Sequence, residues 1–600
     1  MAKYTFGEWI GGYTKNDKAS NGKKFCVETV TGSANRVSIT RASKYVSRFF
    51  EKLSHVISYT PSRTYGALLS MFGTLSLALH LIKDYVGQYD TIPNYVFIIG
   101  CVMAVLGIPF LISDKPLSTA LQNNAVTDFI FFEFFCIRRM HKNENEKGLN
   151  TVVGIILGIV FAIIGLFVPL WIVTLALFGV AYLFLTFLSP EFSFFSIFLL
   201  MPYLSFDKHG IFLAVLVAVT LVSYIRKVAL GKRVYYFEQY DIGLFIMLFC
   251  ILISGIFLKG VESFVSSVVM ILLGMGYVLS SSLVTNRRLA DCLTNAVIIS
   301  AVPISVIAIV ESVIKIVNAG FASFKGASAT FDNPYTLALF LIVALCFSSY
   351  FVDVRRNRAV KLLYGVITAI IFFALIFTMS LWALATLLIG AVAFLIQRMR
   401  RMSGFFLLLL SVFAYALLFI PGKYIELISG NSVMNTLGFS NSMQRWHTSF
   451  SMLKDHLFLG IGIGEDSFIR EIGNYSTDFS YVNSGNFLLE IACEAGIVSL
   501  FAFILIYLIR VRHRGIYQPY LENSRLTKTS LYTTVLTVMM MVYGVFNYIW
   551  SDMTTYYLFW CVFGLGSATL RCAKQEFDDR VAYFSDGSAE DSSSIDITIR

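Results

Sequence analysis

Residues 486–514, NFLLEIACEAGIVSLFAFILIYLIRVRHR, hold the chain's repeating pattern in one line. A polar stretch ends at Asn486, a predominantly apolar run follows to Ile509, and the run closes on Arg510, Arg512 and Arg514. A helix needs about 20 such residues to cross a bilayer, and it can cross because it satisfies its own backbone there. Lys and Arg mark the end that stays on the cytoplasmic side. The only acids in the run, Glu490 and Glu494, are spaced to stand one turn apart on one face.

Outward from this stretch the pattern recurs. Sixteen apolar runs lie between residues 65 and 570; several are short and proline-broken, at Pro169, Pro190 and Pro202, which gives about 12–16 spans. The composition agrees: 57% hydrophobic and 14% charged residues exclude an ordinary soluble protein, whose charged share is about a quarter. The expected fold is an all-α polytopic transmembrane bundle. Its organisation reads as a basic cytoplasmic segment (1–64), amino-terminal spans (65–420), an external loop (421–485), carboxy-terminal spans (486–571) and a cytoplasmic tail (572–600).

Apart from the turn at Ser189-Pro190-Glu191, every second connection is basic, as at Arg138-Arg139, Arg226-Lys227, Arg287-Arg288, Arg355-Arg356 and Arg398-Arg400-Arg401. This alternation places both termini in the cytoplasm and the 421–485 loop outside. It also accounts for the net charge of +10, so no nucleic-acid partner is needed. Residues 1–51 carry no apolar run of signal-peptide type, so the first span directs insertion. Residues 117–140, aromatic but interrupted by polar groups, read as an interfacial helix. The serine-rich acidic tail from Lys574 reads as disordered. The nine cysteines form no disulfide framework and no His/Cys/Asp cluster has metal-ligand spacing, so neither a structural metal nor a cofactor is expected.

The 421–485 loop is the longest polar interruption. Met443, Trp446, Phe450, Leu453 and Leu457 recur at three- and four-residue steps, the signature of an amphipathic helix that lies on the membrane or caps the spans. Gly460, Gly462 and Gly464 then allow a sharp turn and a close approach. With no strand before it, this is not a phosphate-binding loop. Glu311 and Lys315, at i and i+4 near the external end of a span, form either a functional charge site or a structural ion pair. His447 can titrate near neutrality or simply face solvent.

The loop resembles that of the bacterial O-antigen ligase and polysaccharide polymerase superfamily of membrane glycosyltransferases. The resemblance rests on Arg445-Trp446, on the GxGxG turn Gly460, Gly462, Gly464 with Phe468, and on the NxxLxxxxExG run from Asn486 through Glu494 to Gly496. A second element is Thr330-Phe331-Asp332-Asn333-Pro334, with Lys325 upstream where relatives have arginine; Asn333-Pro334 also reads as a plain helix start. Two departures stand out. Ligases of the family carry histidine where this chain has Gly485, and the family's T-x-S-R reads Thr378-Met379-Ser380-Leu381 here, without the arginine.

The resemblance implies transfer of a glycan from a polyprenyl pyrophosphate carrier to a sugar hydroxyl at the external face of a bacterial inner membrane, with no metal or nucleotide. Arg445 is then the pyrophosphate ligand, since a planar guanidinium binds phosphate oxygens in pairs; an interfacial anchor is its other reading. Glu490, Glu494 or His447 is the proton acceptor, and Asn486 belongs to the same catalytic motif. Lys325, Asp332, Asn333, Glu311, Lys315 and the three glycines are substrate-binding candidates. The missing histidine favours polymerisation of repeat units over ligation to another acceptor. Assembly proteins, donor, acceptor and bilayer are the expected partners. Other classes are a lipid-linked glycan flippase, which would place charged or helix-breaking residues at mid-membrane depth and show repeat symmetry, and a non-catalytic scaffold.

Overall fold

The computed structural model describes residues 41–87, 94–135, 148–204, 210–230, 233–257, 260–319, 324, 326–398, 439–475, 483–517, 525–547 and 552–587. The fold is all-α; among the described residues the single β-type feature is an isolated bridge between Pro61 and Pro116. Eleven of the described helices are long and apolar enough to cross a membrane, and two more apolar ones, Thr151–Phe167 and Trp382–Phe394, are shorter. This is an integral membrane protein. Its contacts divide it into two units, residues 1–195 with 219–234 and residues 196–218 with 235–600.

The first unit contains α1 (Arg41–Tyr59), α2 (Ser62–Gly87), α3 (Asn94–Leu111), α4 (Thr151–Phe167) and α5 (Leu170–Leu188). Here α2 packs against both α3 and α4. Lipid tails are as apolar as leucine, so helices in a membrane associate through close backbone approach at small residues. A β-carbon on Gly73 would lie 2.5 Å from the Ala104 nitrogen, and one on Gly66 would lie 2.6 Å from that of Leu111. Phe72, Val96, Met103, Ala162, Leu170 and Val173 fill the core between the helices.

Two helices, α6 (Pro190–Leu200) and α7 (Ile211–Ala229), cross the division. The second unit continues with α8 (Gln239–Phe257), α9 (Val261–Gly274), α10 (Gly276–Leu283), α11 (Arg287–Ala319), α12 (Pro334–Val354), α13 (Arg358–Phe377) and α14 (Leu381–Arg398). It closes with α15 (Phe439–Asp455), α16 (Glu465–Ile472), α17 (Phe487–Tyr517), α18 (Arg525–Phe546) and α19 (Met553–Gly587). Its centre is α12, apolar all round and buried almost without interruption from Thr336 to Leu345, as expected of a helix ringed by protein rather than lipid. Its neighbours are α11, α13 and α18.

Three expectations change. The run 192–204 folds as the 11-residue α6 and a single 3-10 turn; at about 1.5 Å per residue it is too short to cross. The interfacial helix expected over 117–140 breaks at Asn124, whose side chain accepts the Val126 N–H at 3.0 Å, and resumes as a π-helical segment, Asp128–Phe134. The last helix runs on to Gly587, past the Lys574 at which disorder is expected. The run 405–420 and residue Lys325 lie outside the described residues.

Gly73→Val pushes a branched side chain into the α2–α3 seam and is expected to cost about 1–3 kcal/mol. Gly179, on α5 with nothing within 4 Å of where a β-carbon would sit, should accept alanine with no loss or a gain of about 0.5–1 kcal/mol. Thermal unfolding of the two purified variants in detergent checks both signs.

Candidate functional site

The polar motifs meet at one end of the second unit, on a clamp between α17 and the glycine turn. Asn486 starts α17 by accepting the Leu488 N–H at 3.0 Å, an N-cap that satisfies a donor the helix cannot. Nearly three turns on, Gly496 departs from helical geometry (φ 82°, ψ 167°). The break releases backbone groups to the loop: Ile461 donates to the Cys493 carbonyl at 2.7 Å, and Ile497 donates to that of Leu457 at 2.9 Å. Gly460 lies so close to this backbone that a β-carbon there would meet the Cys493 carbonyl oxygen at 2.6 Å.

All three turn glycines have positive φ, +75°, +102° and +96°, where other residues are strained. The turn packs inward: Ile461 and Ile463 are buried, and the Ser263 hydroxyl accepts the Ile463 N–H at 2.9 Å. Phe468 joins Met452, Leu453, Ile461, Ile472, Ala492 and Cys493 in the core beneath it. The turn leads into α16, whose first residues are Glu465 and Asp466, a poor reception for an anion. Its geometry is that of a close-packing device, and the three glycines serve the clamp.

The two glutamates of α17 part company here. The Glu494 carboxylate accepts the Gly464 N–H at 3.0 Å, and its backbone carbonyl accepts the Ser254 hydroxyl at 2.5 Å. It holds the turn. Glu490 is 1% exposed; one oxygen accepts the Ser484 N–H at 2.6 Å, while the other is enclosed and has no hydrogen-bond partner among the described residues. A buried carboxylate oxygen with an open lone pair costs free energy unless a ligand uses it.

Arg445, on α15, lies within electrostatic reach of Glu490. Its Nη2 stands 3.4 Å from the Ser442 hydroxyl, and its guanidinium carbon is 3.1 Å from where a β-carbon on Gly485 would sit. Gly485 has φ +68°. Arg445 therefore packs against the position at which related ligases carry histidine. Beside it, Trp446 meets Phe546 at 6.3 Å between ring centres, and Phe546 stacks on Trp382 at 3.8 Å. His447 is exposed; its direction on α15 separates it from this group.

The 326–335 loop is held at the same end. Ala327 donates to the Phe377 carbonyl at 3.0 Å, and the Tyr543 hydroxyl lies between the Tyr335 carbonyl at 2.8 Å and the Ser380 hydroxyl at 3.4 Å. Glu311 accepts the N–H of Ala329, itself at φ +50°, at 2.7 Å and pairs with Lys315 at 2.5 Å. That is the structural reading of the pair. Asn333 caps α12 through the Thr336 N–H at 2.9 Å. Asp332 is exposed.

One acid was not singled out from the sequence. Asp552 caps α19 by accepting the Thr554 N–H at 2.9 Å, and its other oxygen is enclosed without a hydrogen-bond partner among the described residues. Burial pushes its carboxyl up to about 6; the Thr554 contacts pull the other way, and the nearby Asp332 charge raises it further. The available signal was an acid in the connection between two apolar runs, on the same face as the long loop. Among the described residues no three His, Cys, Asp or Glu side chains group as a metal site.

Residues 365–504 match the family model described as O-Antigen ligase. The match spans Arg445, the three glycines, Asn486, Glu490 and Glu494, and stops short of Glu311, Asp332, Asn333 and Asp552. Over this stretch the chain resembles the O-antigen ligase superfamily of glycan-transferring membrane enzymes. No curated protein matches it.

Two outcomes follow from the geometry. Glu494→Ala removes the acceptor of the Gly464 N–H and should cost about 1–3 kcal/mol in thermal unfolding, whereas Glu494→Gln, which keeps an acceptor oxygen, should stay near wild type. For Asp552, the folded chain retains a proton between about pH 4 and 6 that the unfolded chain releases, so its contribution to stability is present below about pH 4 and lost as pH rises through about 6. Asp552→Asn should match wild type near pH 4 and exceed it at pH 7 by up to about 2–3 kcal/mol, read as diverging melting temperatures across that window.

Proposed function

We propose that this chain is a metal-independent membrane glycosyltransferase that takes polyprenyl-pyrophosphate-linked oligosaccharide at the external face of a bacterial inner membrane and polymerises it into a surface polysaccharide. The observation that carries the reading is the Arg445 guanidinium packed against Gly485, beside a buried Glu490 with an unused oxygen, inside the stretch that resembles O-antigen ligases.

In this reading Arg445 binds the pyrophosphate and stabilises the charge that grows on it as the sugar–oxygen bond breaks. An acceptor sugar hydroxyl attacks the anomeric carbon, and its proton passes to the free oxygen of Glu490. The products are the lengthened glycan and polyprenyl pyrophosphate, so the exchange balances without an added reactant. Glu494, Asn486 and the glycine turn hold α17 and α15 in register and touch no substrate. The Trp446, Phe546 and Trp382 rings, a chain of contacts that begins at the arginine's neighbour in sequence, offer apolar faces at the membrane interface. Polymerisation is preferred to ligation because Gly485 supplies no imidazole where ligases of the resembled family carry histidine.

Purified wild type given lipid-linked repeat units should yield longer glycan and polyprenyl pyrophosphate without added metal or nucleotide. Arg445→Ala should lower turnover about 10²–10³-fold, Arg445→Lys should retain part of it as a point charge, and Glu490→Gln should lower it about 10²–10⁴-fold. Transfer that occurs only when a different acceptor is supplied would assign ligation instead. Full activity in both the alanine and glutamine variants would remove the site.

A further inference from the structure

The helix α1 ends at Tyr59, and the span α2 begins at Ser62, so α1 lies at the membrane surface rather than away from it. Its sequence, RASKYVSRFFEKLSHVISY, sorts into sectors. Arg41, Lys44, Arg48 and Lys52 follow at three- and four-residue steps, as do Tyr45, Phe49, Leu53 and Val56 beside them, and Glu51 is the one acid against these four basic residues. Such an arrangement, with basic residues flanking an aromatic and aliphatic face, is that of a helix lying in the headgroup plane.

The contacts fix which side faces outward. Phe50 stacks on Phe187 with ring centres 5.0 Å apart, and the Arg226 guanidinium sits over both rings at 5.5 and 5.4 Å. The Tyr65 hydroxyl donates to the Ile57 carbonyl at 2.8 Å, and Ser54 is buried. The helix is thus pinned to its own unit by one side. Away from that side, Phe49 is 62% exposed beside exposed Arg48 and Lys52. Arg226 and Lys227 form the last turn of α7, so α1 is held at the Lys- and Arg-rich end of that helix, where anionic headgroups accumulate.

We infer that α1 is a binding surface for anionic phospholipid headgroups, with Arg48 and Lys52 contacting phosphate and Phe49 inserted among the upper acyl carbons. The inference stands apart from the proposed glycan chemistry. The test is hydrogen–deuterium exchange of the full chain in nanodiscs of phosphatidylcholine, alone or with phosphatidylglycerol. Exchange across residues 41–59 should be at least about fivefold slower with phosphatidylglycerol, the factor one basic side chain contributes near an anionic surface. Arg48→Gln with Lys52→Gln should erase the difference while α2 exchanges as before, and Phe49→Ser should speed α1 exchange in both lipid mixtures. Equal exchange of wild type in the two discs, or a difference that survives the double substitution, would overturn the inference. Soluble polyglutamate slowing α1 in phosphatidylcholine discs as much as phosphatidylglycerol does would also overturn it, by reassigning the stripe to an acidic protein.

Discussion

A helix inside a bilayer must spend every backbone N–H and C=O on itself, and the second unit depends on the one place where α17 does not. At Gly496 the ladder opens, and the groups it releases are taken by Leu457 and Ile461 of the loop. Membrane helices tolerate such a break only where protein, not lipid, completes the bonding. The break and the loop therefore require each other: without the loop the helix would carry bare polar groups, and without the break the loop would have no backbone to hold. Glu494 and Ser254 close the same junction from the side-chain and helix-packing directions. Glu490 lies on the helix that this seam fixes, six residues before the break.

The architecture was legible because apolar runs of membrane length are long and bounded by basic residues. Where a span was expected and none formed, the cause is that apolar composition does not distinguish burial in lipid from burial in protein. Phe192, Phe194, Phe195 and Phe198 gave 192–204 the look of a span, yet all four are buried within the protein. The continuation of α19 past Lys574 was hidden for a different reason, since a polar, charged segment can extend a helix that the preceding apolar turns have already nucleated.

The candidate site was legible as a set of motifs and illegible as a set of roles. Spacing placed Glu490 and Glu494 on one face, and their separate duties emerge only when the turn delivers the Gly464 N–H to one and not the other. Asn333 reads as a helix start and is one; Asn486, legible only as a motif residue, starts a helix as well. Asp552 stayed out of view because what makes it unusual, burial together with the charge of Asp332, is brought by chain segments far apart in sequence.

Gly485 carries a consequence for how such a chain can change. Its left-handed backbone would impose roughly 1–2 kcal/mol on any side chain with a β-carbon, and the guanidinium carbon of Arg445 stands 3.1 Å from where that carbon would sit. An imidazole at 485 would therefore require this arginine pose at 445 to give way. The two positions are thus coupled through one contact, and a change at 485 is felt at 445. A side chain introduced at 485 alone would carry both a strained backbone and a displaced cation, whereas a change at 445 alone leaves the turn relaxed.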